Sequence, residues 1–382
     1  MEAREGLAAL PFPAFEVDAM SNWILALGLV LYPSTQLRLG AVPFGPGEFF
    51  LIIWAGLEIL RLIMSSRVLG NLAFRRTCVF WFFLLLANCL GMIVGLVQEP
   101  FIYFPGISHD IIAYSLVFVL ACMMSLDLGD AGRRREVVWK TVLLGSVSMV
   151  LQFSTGIGAL SLPGVDPWFY DRLRGWSLDP NQLGFFAMFI VVLSVHLSET
   201  ARTSREAVAS IACALPALIV GLLSKSDTFV VASIAAGSVF VALKSITWLY
   251  PVGMLPSFRG TAVVLGLIFL PLAFASVAPL LSRAVNQAVE VSDALYAEDG
   301  QGDLRLHLWR EAYDKGLASG MIGYGPGPHL TSKSWKRPPP YKFEAHNTSL
   351  DLFTQGGLMV VAAFAWLSTS TLHEVWRARL PA

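Results

Sequence analysis

The stretch TCVFWFFLLLANCLGMIVGLVQ, residues 77–98, runs for 22 residues without an Asp, Glu, Lys or Arg. A helix of about 20 apolar residues is long enough to cross the hydrocarbon core of a bilayer. Similar apolar stretches recur along the chain and bring the number of predicted spans to ten. They lie at roughly 20–36, 47–64, 77–98, 109–128, 137–158, 181–199, 207–224, 228–248, 261–280 and 346–369. The sequence therefore predicts an all-α, polytopic integral membrane protein with about ten transmembrane helices.

The composition of the chain agrees with a membrane protein. Hydrophobic residues make up 55% of the 382 residues and charged residues only 14%, which is far from the balance of a soluble domain. The formal net charge of zero provides no strong field for a nucleic acid or another charged partner, so no nucleic-acid partner is predicted. The four cysteines lie in apolar stretches without a CxxC motif, which favours packing residues over disulfides or metal ligands.

Lys and Arg in the short loops predict the orientation, because basic loops stay in the cytoplasm. The connections at 65–76, 129–140 and 200–206 are basic, whereas the loop at 99–108 has no Lys or Arg. The basic connections alternate along the chain, so both termini are predicted to be cytoplasmic. The connections that face outward are then 159–180, a tight turn near 224–228, and 281–345.

The last outward connection divides the chain into three predicted parts. Residues 1–280 are predicted to form an N-terminal membrane bundle of about nine transmembrane helices. Residues 281–345 form one long outward loop that contains short helices, and residues 346–382 form the last transmembrane helix and a cytoplasmic tail.

The first outward connection carries the motif DRLRGWSLDPNQLG, residues 171–184. Arg172 and Arg174 precede a predicted helix that Asp179 or Asn181 caps, with Pro180 near its first turn. One interpretation is a capped helix start with arginines at the membrane interface. The other is that Arg172 or Arg174 binds an anionic head group.

The second outward connection, LLSKSDTFVV at residues 222–231, places Lys225 and Asp227 between two apolar segments. Ionisable groups at membrane depth are functional candidates. The alternative is the polar tip of a helical hairpin, in which Lys225 and Asp227 are able to pair across the turn.

The third outward connection contains GDLRLHLWREAYDKGLASGMIGYGPGP, residues 302–328. Its first part is predicted to be an amphipathic helix at the membrane surface, with Arg305 near the apolar side and Arg310 away from it. The run GYGPGP, residues 323–328, then breaks the helix and predicts a sharp turn in which the backbone approaches a ligand.

The stretch YKFEAHNTSLDLFTQGG, residues 341–357, brings His346 and Asn347 to the start of the last span. Asn347 is able to cap the helix, which would leave His346 as an interfacial residue. The alternative is that His346 takes part in chemistry. The other histidines lack the spacing of a metal site, so no metal is predicted, and His196 inside a span is predicted to be packed or paired.

Three of these motifs, in this order, resemble the O-antigen ligase and Wzy-type polymerase superfamily of bacterial envelope glycan assembly. They are RLRGWSLDPNQLG, RLHLWREAYDKGLASGMIGYGPGP and HNTSLDLFTQGGL, and the resemblance covers about residues 160–370. It implies a multi-pass protein of the bacterial inner membrane whose active site faces the periplasm, so that the loop 281–345 is periplasmic. The implied donor is an undecaprenyl-diphosphate-linked glycan.

The reaction that the resemblance implies needs no cofactor. A hydroxyl of a glycan or lipid-linked acceptor attacks the anomeric carbon of the donor, and the lipid diphosphate leaves. The implied partners are the donor, the acceptor, membrane lipids, a flippase and a chain-length regulator.

The resemblance also implies roles for single residues. Arg305 holds the diphosphate, His346 is the acid/base group, and Arg174 corresponds to the arginine of an RxxG…PN segment. Additional substrate-binding candidates share the outward connections; they are Arg172, Lys225, Asn347 and Arg310. One departure concerns a Ser-Arg pair that is common in the family, which here reads Ser226-Asp227.

The function that we expect is therefore a metal-independent membrane glycosyltransferase, with a preference for an exopolysaccharide or O-antigen polymerase. The first alternative is a ligase that transfers glycan to lipid A-core. A glycan or lipid transporter, or an inactive scaffold member of the family, are further alternatives, and Asp227 is the residue that most favours the scaffold.

Overall fold

The computed structural model describes residues 14–38, 44–64, 71–98, 104–249, 301–330 and 347–377. Ten α-helices and one short β-hairpin lie in this part of the chain. The helices are α1 Ala14–Leu31, α2 Pro46–Met64, α3 Leu72–Gln98, α4 Phe104–Asp127, α5 Ala131–Gly156, α6 Pro180–Glu199, α7 Ser204–Leu223, α8 Asp227–Leu249, α9 Gln301–Ala318 and α10 Thr348–Arg377. The hairpin consists of β1, Trp168–Phe169, and β2, Arg172–Leu173.

The all-α class is confirmed, and nine of the ten predicted spans overlap a helix of the structure. The predicted span at 261–280 lies outside the described residues. Six of the described helices are long and apolar enough to cross a membrane; they are α3 to α7 and α10. The total of ten transmembrane helices, the long periplasmic loop and the division into three parts remain predictions.

The described helices form two compact units. The first contains α1, α2 and α5 to α8, together with Asp127 at the end of α4. Helix α6 is its centre, because it packs on α5, α7 and α8. The fully buried residues Leu183 and Ile190 of α6 share this core with Met149 of α5 and Phe229 of α8.

The second unit contains α3, α4, α9 and α10. Helix α10 packs along both α3 and α9. Buried Trp81 and Leu84 of α3, Cys122 of α4 and Val360 of α10 form a core between the helices. The ends of α3 and α10 are joined by an ion pair between Arg76 and Glu374, 2.9 Å long.

Helix α10 is broken at Gly357, whose φ of +63° is readily adopted only by glycine. The break exposes backbone groups that the segment after α9 then satisfies. The Leu358 amide donates to the Met321 carbonyl at 2.9 Å, and the Gly325 amide donates to the Gln355 carbonyl at 2.8 Å. The Tyr324 amide donates to the carbonyl of Thr354 at 2.9 Å. These bonds keep buried backbone groups paired, as an apolar environment requires.

A charged cluster around Arg133 connects three segments of the first unit. Its guanidinium contacts Asp127 and lies 2.6 Å from Glu58 Oε1, and it also donates to Asn22 Oδ1 at 2.9 Å. The side chains of Arg133, Glu58 and Asp127 are only 10%, 7% and 2% exposed. Arg61, three positions after Glu58 in α2, adds a 3.1 Å contact to the Glu58 carboxylate.

We expect Arg133→Met to lower the free energy of unfolding by about 3–5 kcal/mol, because it leaves buried carboxylates without their main cation. Denaturant unfolding of the purified protein in detergent measures this change. The matched control is Arg134→Met, because Arg134 is exposed and donates to the Leu128 carbonyl at 3.2 Å. Equal losses in the two variants would show that the Arg133 cluster does not stabilise the fold.

Candidate functional site

The segment after α5 is folded back over one end of the first unit. Trp168 Nε1 of β1 donates to the Gly156 carbonyl at 2.8 Å, and Trp176 Nε1 donates to Thr155 Oγ1 at 3.2 Å. Leu173 of β2 is fully buried in the core of the first unit. The hairpin therefore has a fixed position above the ends of the helices.

Two glutamine side chains complete this attachment. Gln36 Nε2 donates to the carbonyls of Asp166 at 2.9 Å and Ser177 at 2.6 Å, and its Oε1 accepts from the Asp166 amide at 2.9 Å. Gln152 Oε1 accepts from the Trp176 amide at 3.1 Å. Sequence reasoning did not identify either residue, although a glutamine inside the apolar run MVLQF is a signal that a buried partner exists.

Asp179 caps α6, which confirms the capped helix start that the sequence predicted with Asp179 or Asn181 as the cap. Its carboxylate accepts from the Asn181 amide at 2.9 Å, and Pro180 begins the helix. Because Asp179 is the cap, the side chain of Asn181 is available for other contacts.

Arg172 makes those contacts. Its Nη2 donates to Asn181 Oδ1 at 3.0 Å, and its Nε donates to the Ser224 carbonyl at 3.2 Å, at the C-terminal end of α7. Ser226 Oγ donates to the same Asn181 oxygen at 3.0 Å. No carboxylate in the described part of the chain forms an ion pair with Arg172, so its charge is held by neutral oxygens.

Arg174 and Lys225 differ from Arg172 because each has an anionic partner. Arg174 Nη2 lies 2.7 Å from Asp166 Oδ2, and its guanidinium lies 5.7 Å from the centre of the Phe169 ring. Lys225 pairs with Asp171, not with Asp227. The prediction that Lys225 is able to pair with Asp227 across the turn is therefore wrong. The β-hairpin instead brings the carboxylate of Asp171, 54 residues earlier in the chain, to Lys225.

In the second unit the predicted site residues are only partly described. His346 lies outside the described residues, as does the side chain of Arg305 at the start of α9. Arg310 is exposed. Asn347 caps α10, because its Oδ1 accepts from the amides of Ser349 at 3.1 Å and Leu350 at 3.4 Å. The helix-cap interpretation of Asn347 is confirmed, and a contact of Asn347 with substrate remains a prediction.

The glycine-rich run at 323–328 approaches helix backbone, whereas a ligand was expected. A Cβ atom added to Gly91 of α3 would lie 2.5 Å from the Gly325 amide nitrogen and from the Gln355 carbonyl oxygen. Small residues are needed where backbones pack this closely. The spacing Gly91-x-x-x-Gly95 in α3 is the sequence signal for this contact.

Asp110 of α4 is a further residue that the sequence reasoning missed. Its Oδ2 accepts from the Gly327 amide at 2.9 Å, and Gln355 Nε2 lies 3.4 Å from the same oxygen. His196 also differs from expectation, since it is exposed on α6 and is not packed. An apolar membrane segment tolerates a polar side chain near its end, where the side chain reaches the interface.

The ammonium group of Lys225 donates to Asp171 and thereby holds the pKa of that carboxyl below its usual range. Because the folded-state pKa is lowered, the contact stabilises the fold above the ordinary carboxyl pKa of about 3.9. This contribution disappears as the pH falls through the lowered pKa.

We expect Lys225→Met to raise the pKa of Asp171 toward its ordinary value, because the variant removes the donor that favours the ionised form. A titration of the Asp171 side-chain carboxyl by ¹³C NMR measures the shift. Arg205→Met, which changes an exposed cation of α7, is the control and should leave the midpoint unchanged. An unchanged midpoint in Lys225→Met would contradict the contact.

Comparison with known proteins gives one match. Residues 181–365 match a family model described as O-Antigen ligase, from the first turn of α6 into α10. A search of the curated proteins and a search of the solved structures each gave no significant match. The matched range includes Lys225, Arg305, Arg310, His346 and Asn347, and it begins after Arg172 and Arg174. The match confirms the resemblance that the three motifs indicated.

Proposed function

We propose that this chain, a member of the O-antigen ligase family over residues 181–365, is a glycosyltransferase of bacterial surface-polysaccharide assembly. Its apolar helices and the family match fit a multi-pass protein of the inner membrane. The proposed donor is a glycan linked to undecaprenyl diphosphate, and the proposed acceptor is a hydroxyl of a second glycan. Both termini are proposed to be cytoplasmic, with the reaction on the periplasmic side.

The observation that carries this proposal is that Arg172 is held by the neutral oxygens of Ser224 and Asn181 and forms no ion pair within the described residues. Its described contacts use Nε and one hydrogen of Nη2, which leaves the Nη1 group and the second Nη2 hydrogen as donors. Arginine is suited to phosphate because two of its N–H groups bind two phosphate oxygens in parallel. A half-buried guanidinium that is held in place by neutral oxygens is therefore ready for an anionic ligand.

Arg172 is also a candidate to replace the arginine that the family commonly has where this chain has Asp227. Arg172 and Ser226 share one acceptor, Asn181 Oδ1, so the guanidinium lies beside the serine after which the family commonly has an arginine. The spacing supports this assignment, since Arg172 is the residue that stands three positions before Gly175 in RLRG. We therefore assign the diphosphate contact of this segment to Arg172, with Lys225 nearby, and give Arg174 the role of holding the hairpin.

The proposed reaction requires a base and a stabilised leaving group. His346 takes the proton of the acceptor hydroxyl as the oxygen attacks the anomeric carbon. The bond from that carbon to the diphosphate oxygen breaks, and the lipid diphosphate leaves with the electron pair. General-base catalysis by a histidine contributes about 10²–10⁴-fold in rate, and its ordinary pKa near 6.5 suits neutral pH.

Arg172 is proposed to stabilise the negative charge that grows on the leaving diphosphate, and Arg305 keeps the diphosphate-holding role that the resemblance implies for it. Preorganised donors are effective in such a role because they need no reorganisation during the reaction. Asn347 and Arg310 are retained as substrate-binding candidates. The polymerase remains the preferred branch, and the O-antigen ligase is the alternative that the family description directly supports.

We expect Arg172→Ala, Arg305→Ala and His346→Ala each to abolish glycan transfer in a deletion strain that wild type restores. For Arg172→Ala the loss should be about 10²-fold or more. Arg172→Lys should not restore activity, because lysine cannot bind phosphate with two parallel N–H groups. Surface and lipid-linked glycans separated by size are the measurement, and membrane levels of each variant are determined in parallel.

Arg205→Ala is the matched control, since it removes an exposed arginine at the start of α7. Normal polymer in the Arg172→Ala strain would show that Arg172 is not part of the site. Single repeat units on the lipid carrier in the deletion strain would identify a polymerase. Long chains on the carrier that never reach lipid A-core would identify a ligase.

We expect a chelator such as EDTA to leave the transfer activity of the purified protein unchanged, because arginine side chains are proposed to carry the charge on the diphosphate. The measurement is transfer from extracted lipid-linked glycan with and without chelator. Strong inhibition that a divalent cation reverses would contradict the metal-independent reaction.

A further inference from the structure

The tip of the β-hairpin carries two exposed aromatic side chains. Phe169 is 44% exposed and Tyr170 is 89% exposed. Their ring centres lie 4.8 Å apart in an edge-to-face arrangement. No other residue in the described part of the chain forms a hydrogen bond with the Tyr170 hydroxyl.

The backbone at Tyr170 is strained. Its φ of +55° lies in the left-handed region, where a bulky side chain is an outlier and glycine is favoured. The ring is almost fully exposed, so packing inside the protein does not compensate for the strain. A strained residue whose side chain stays exposed beside a neighbouring aromatic ring is a candidate for a contact outside the chain.

The surroundings of these rings indicate the chemistry of that contact. Asp171 follows Tyr170, and its side chain is 74% exposed although Lys225 contacts it. Arg174 lies on one side of the Phe169 ring. An exposed aromatic surface beside an ionised carboxylate matches a pyranose ring, which has an apolar C–H face and a rim of hydroxyl donors.

The hairpin also places these aromatic rings next to Arg172, the residue proposed to bind phosphate. Phe169 and Arg172 are direct partners across the two strands. In a diphosphate-linked glycan the first sugar is bonded directly to the phosphate. A ligand whose phosphate contacts Arg172 therefore has its sugar within reach of the same hairpin.

We propose that Phe169, Tyr170 and Asp171 form a subsite that binds a pyranose ring of the glycan. This inference rests on the proposed function, because it takes the substrate to be a lipid-linked glycan. A membrane-interface anchor is the competing role for exposed aromatics. The exposed carboxylates of Asp166 and Asp171 beside the rings favour a polyhydroxylated ligand in water over a lipid surface.

The test uses the full chain in lipid nanodiscs. The probe is the oligosaccharide that mild acid releases from the lipid-linked glycan of a strain lacking this protein. Calorimetry measures its binding to wild type, Tyr170→Gly, Tyr170→Leu and Tyr170→Trp. We expect Tyr170→Gly and Tyr170→Leu to bind about tenfold more weakly, because the loss of one aromatic contact changes the affinity by about this factor. Tyr170→Trp keeps an aromatic ring and should bind nearly as well as wild type.

Thermal unfolding separates this role from a structural one. Tyr170→Gly should be at least as stable as wild type, because glycine relieves the strain at φ +55°. Phe185→Ala is the matched control, since it removes an exposed aromatic of α6 outside the hairpin. Unchanged binding in Tyr170→Gly, equal weakening in Phe185→Ala, or full binding in Tyr170→Leu would each overturn the subsite, and the last would indicate a membrane anchor.

The outcomes distinguish this inference from the proposed function. If wild type restores glycan transfer and Tyr170→Gly binds the oligosaccharide as wild type does, only the subsite is wrong. If binding depends on Tyr170 but the chain fails to restore transfer, the subsite stands and the glycosyltransferase proposal is wrong. If wild type does not bind the oligosaccharide, the subsite is overturned.

Discussion

The side-chain oxygen of Asn181 accepts hydrogen bonds from both Arg172 and Ser226. These two bonds connect the start of α6 with the β-hairpin on one side and with the turn between α7 and α8 on the other. Asn181 is able to serve in this way because Asp179 caps α6 in its place. Asn181 therefore links the two segments that carry Arg172 and Lys225, two cations of the first unit's candidate site.

Three groups of charged residues in the first unit differ in their partners. Arg133, Glu58 and Asp127 neutralise one another in a buried cluster, which is the arrangement expected of charges that serve the fold. Arg174 and Lys225 are paired with exposed carboxylates and hold the hairpin. Arg172 is instead held by the neutral oxygens of Asn181 and Ser224, and this difference in partners distinguishes it from Arg174 and Lys225 as a binding candidate.

Close backbone packing organises the second unit. The break of α10 at Gly357 and the absence of a side chain at Gly91 let the segment after α9 lie against α3 and α10. That segment follows the helix that carries Arg305 and Arg310 and precedes the helix that begins at Thr348, next to His346 and Asn347. The glycine-rich run, for which the sequence predicted ligand contact, therefore packs against α10 at its break near Gly357.

The sequence by itself determined most of the helices, their order and the resemblance to the O-antigen ligase family. Apolar stretches of about 20 residues and the cap at Asn347 depend on neighbours within a few positions, so the sequence shows them directly, and it narrowed the cap of α6 to Asp179 or Asn181. Tertiary structure alone decided that neutral oxygens hold Arg172 and that Asp171 pairs with Lys225. Those partners lie 54 residues apart for Lys225 and Asp171 and 75 apart for Arg133 and Glu58. Their choice depends on where the folded helices bring side chains together, and no local pattern of residues encodes that distance.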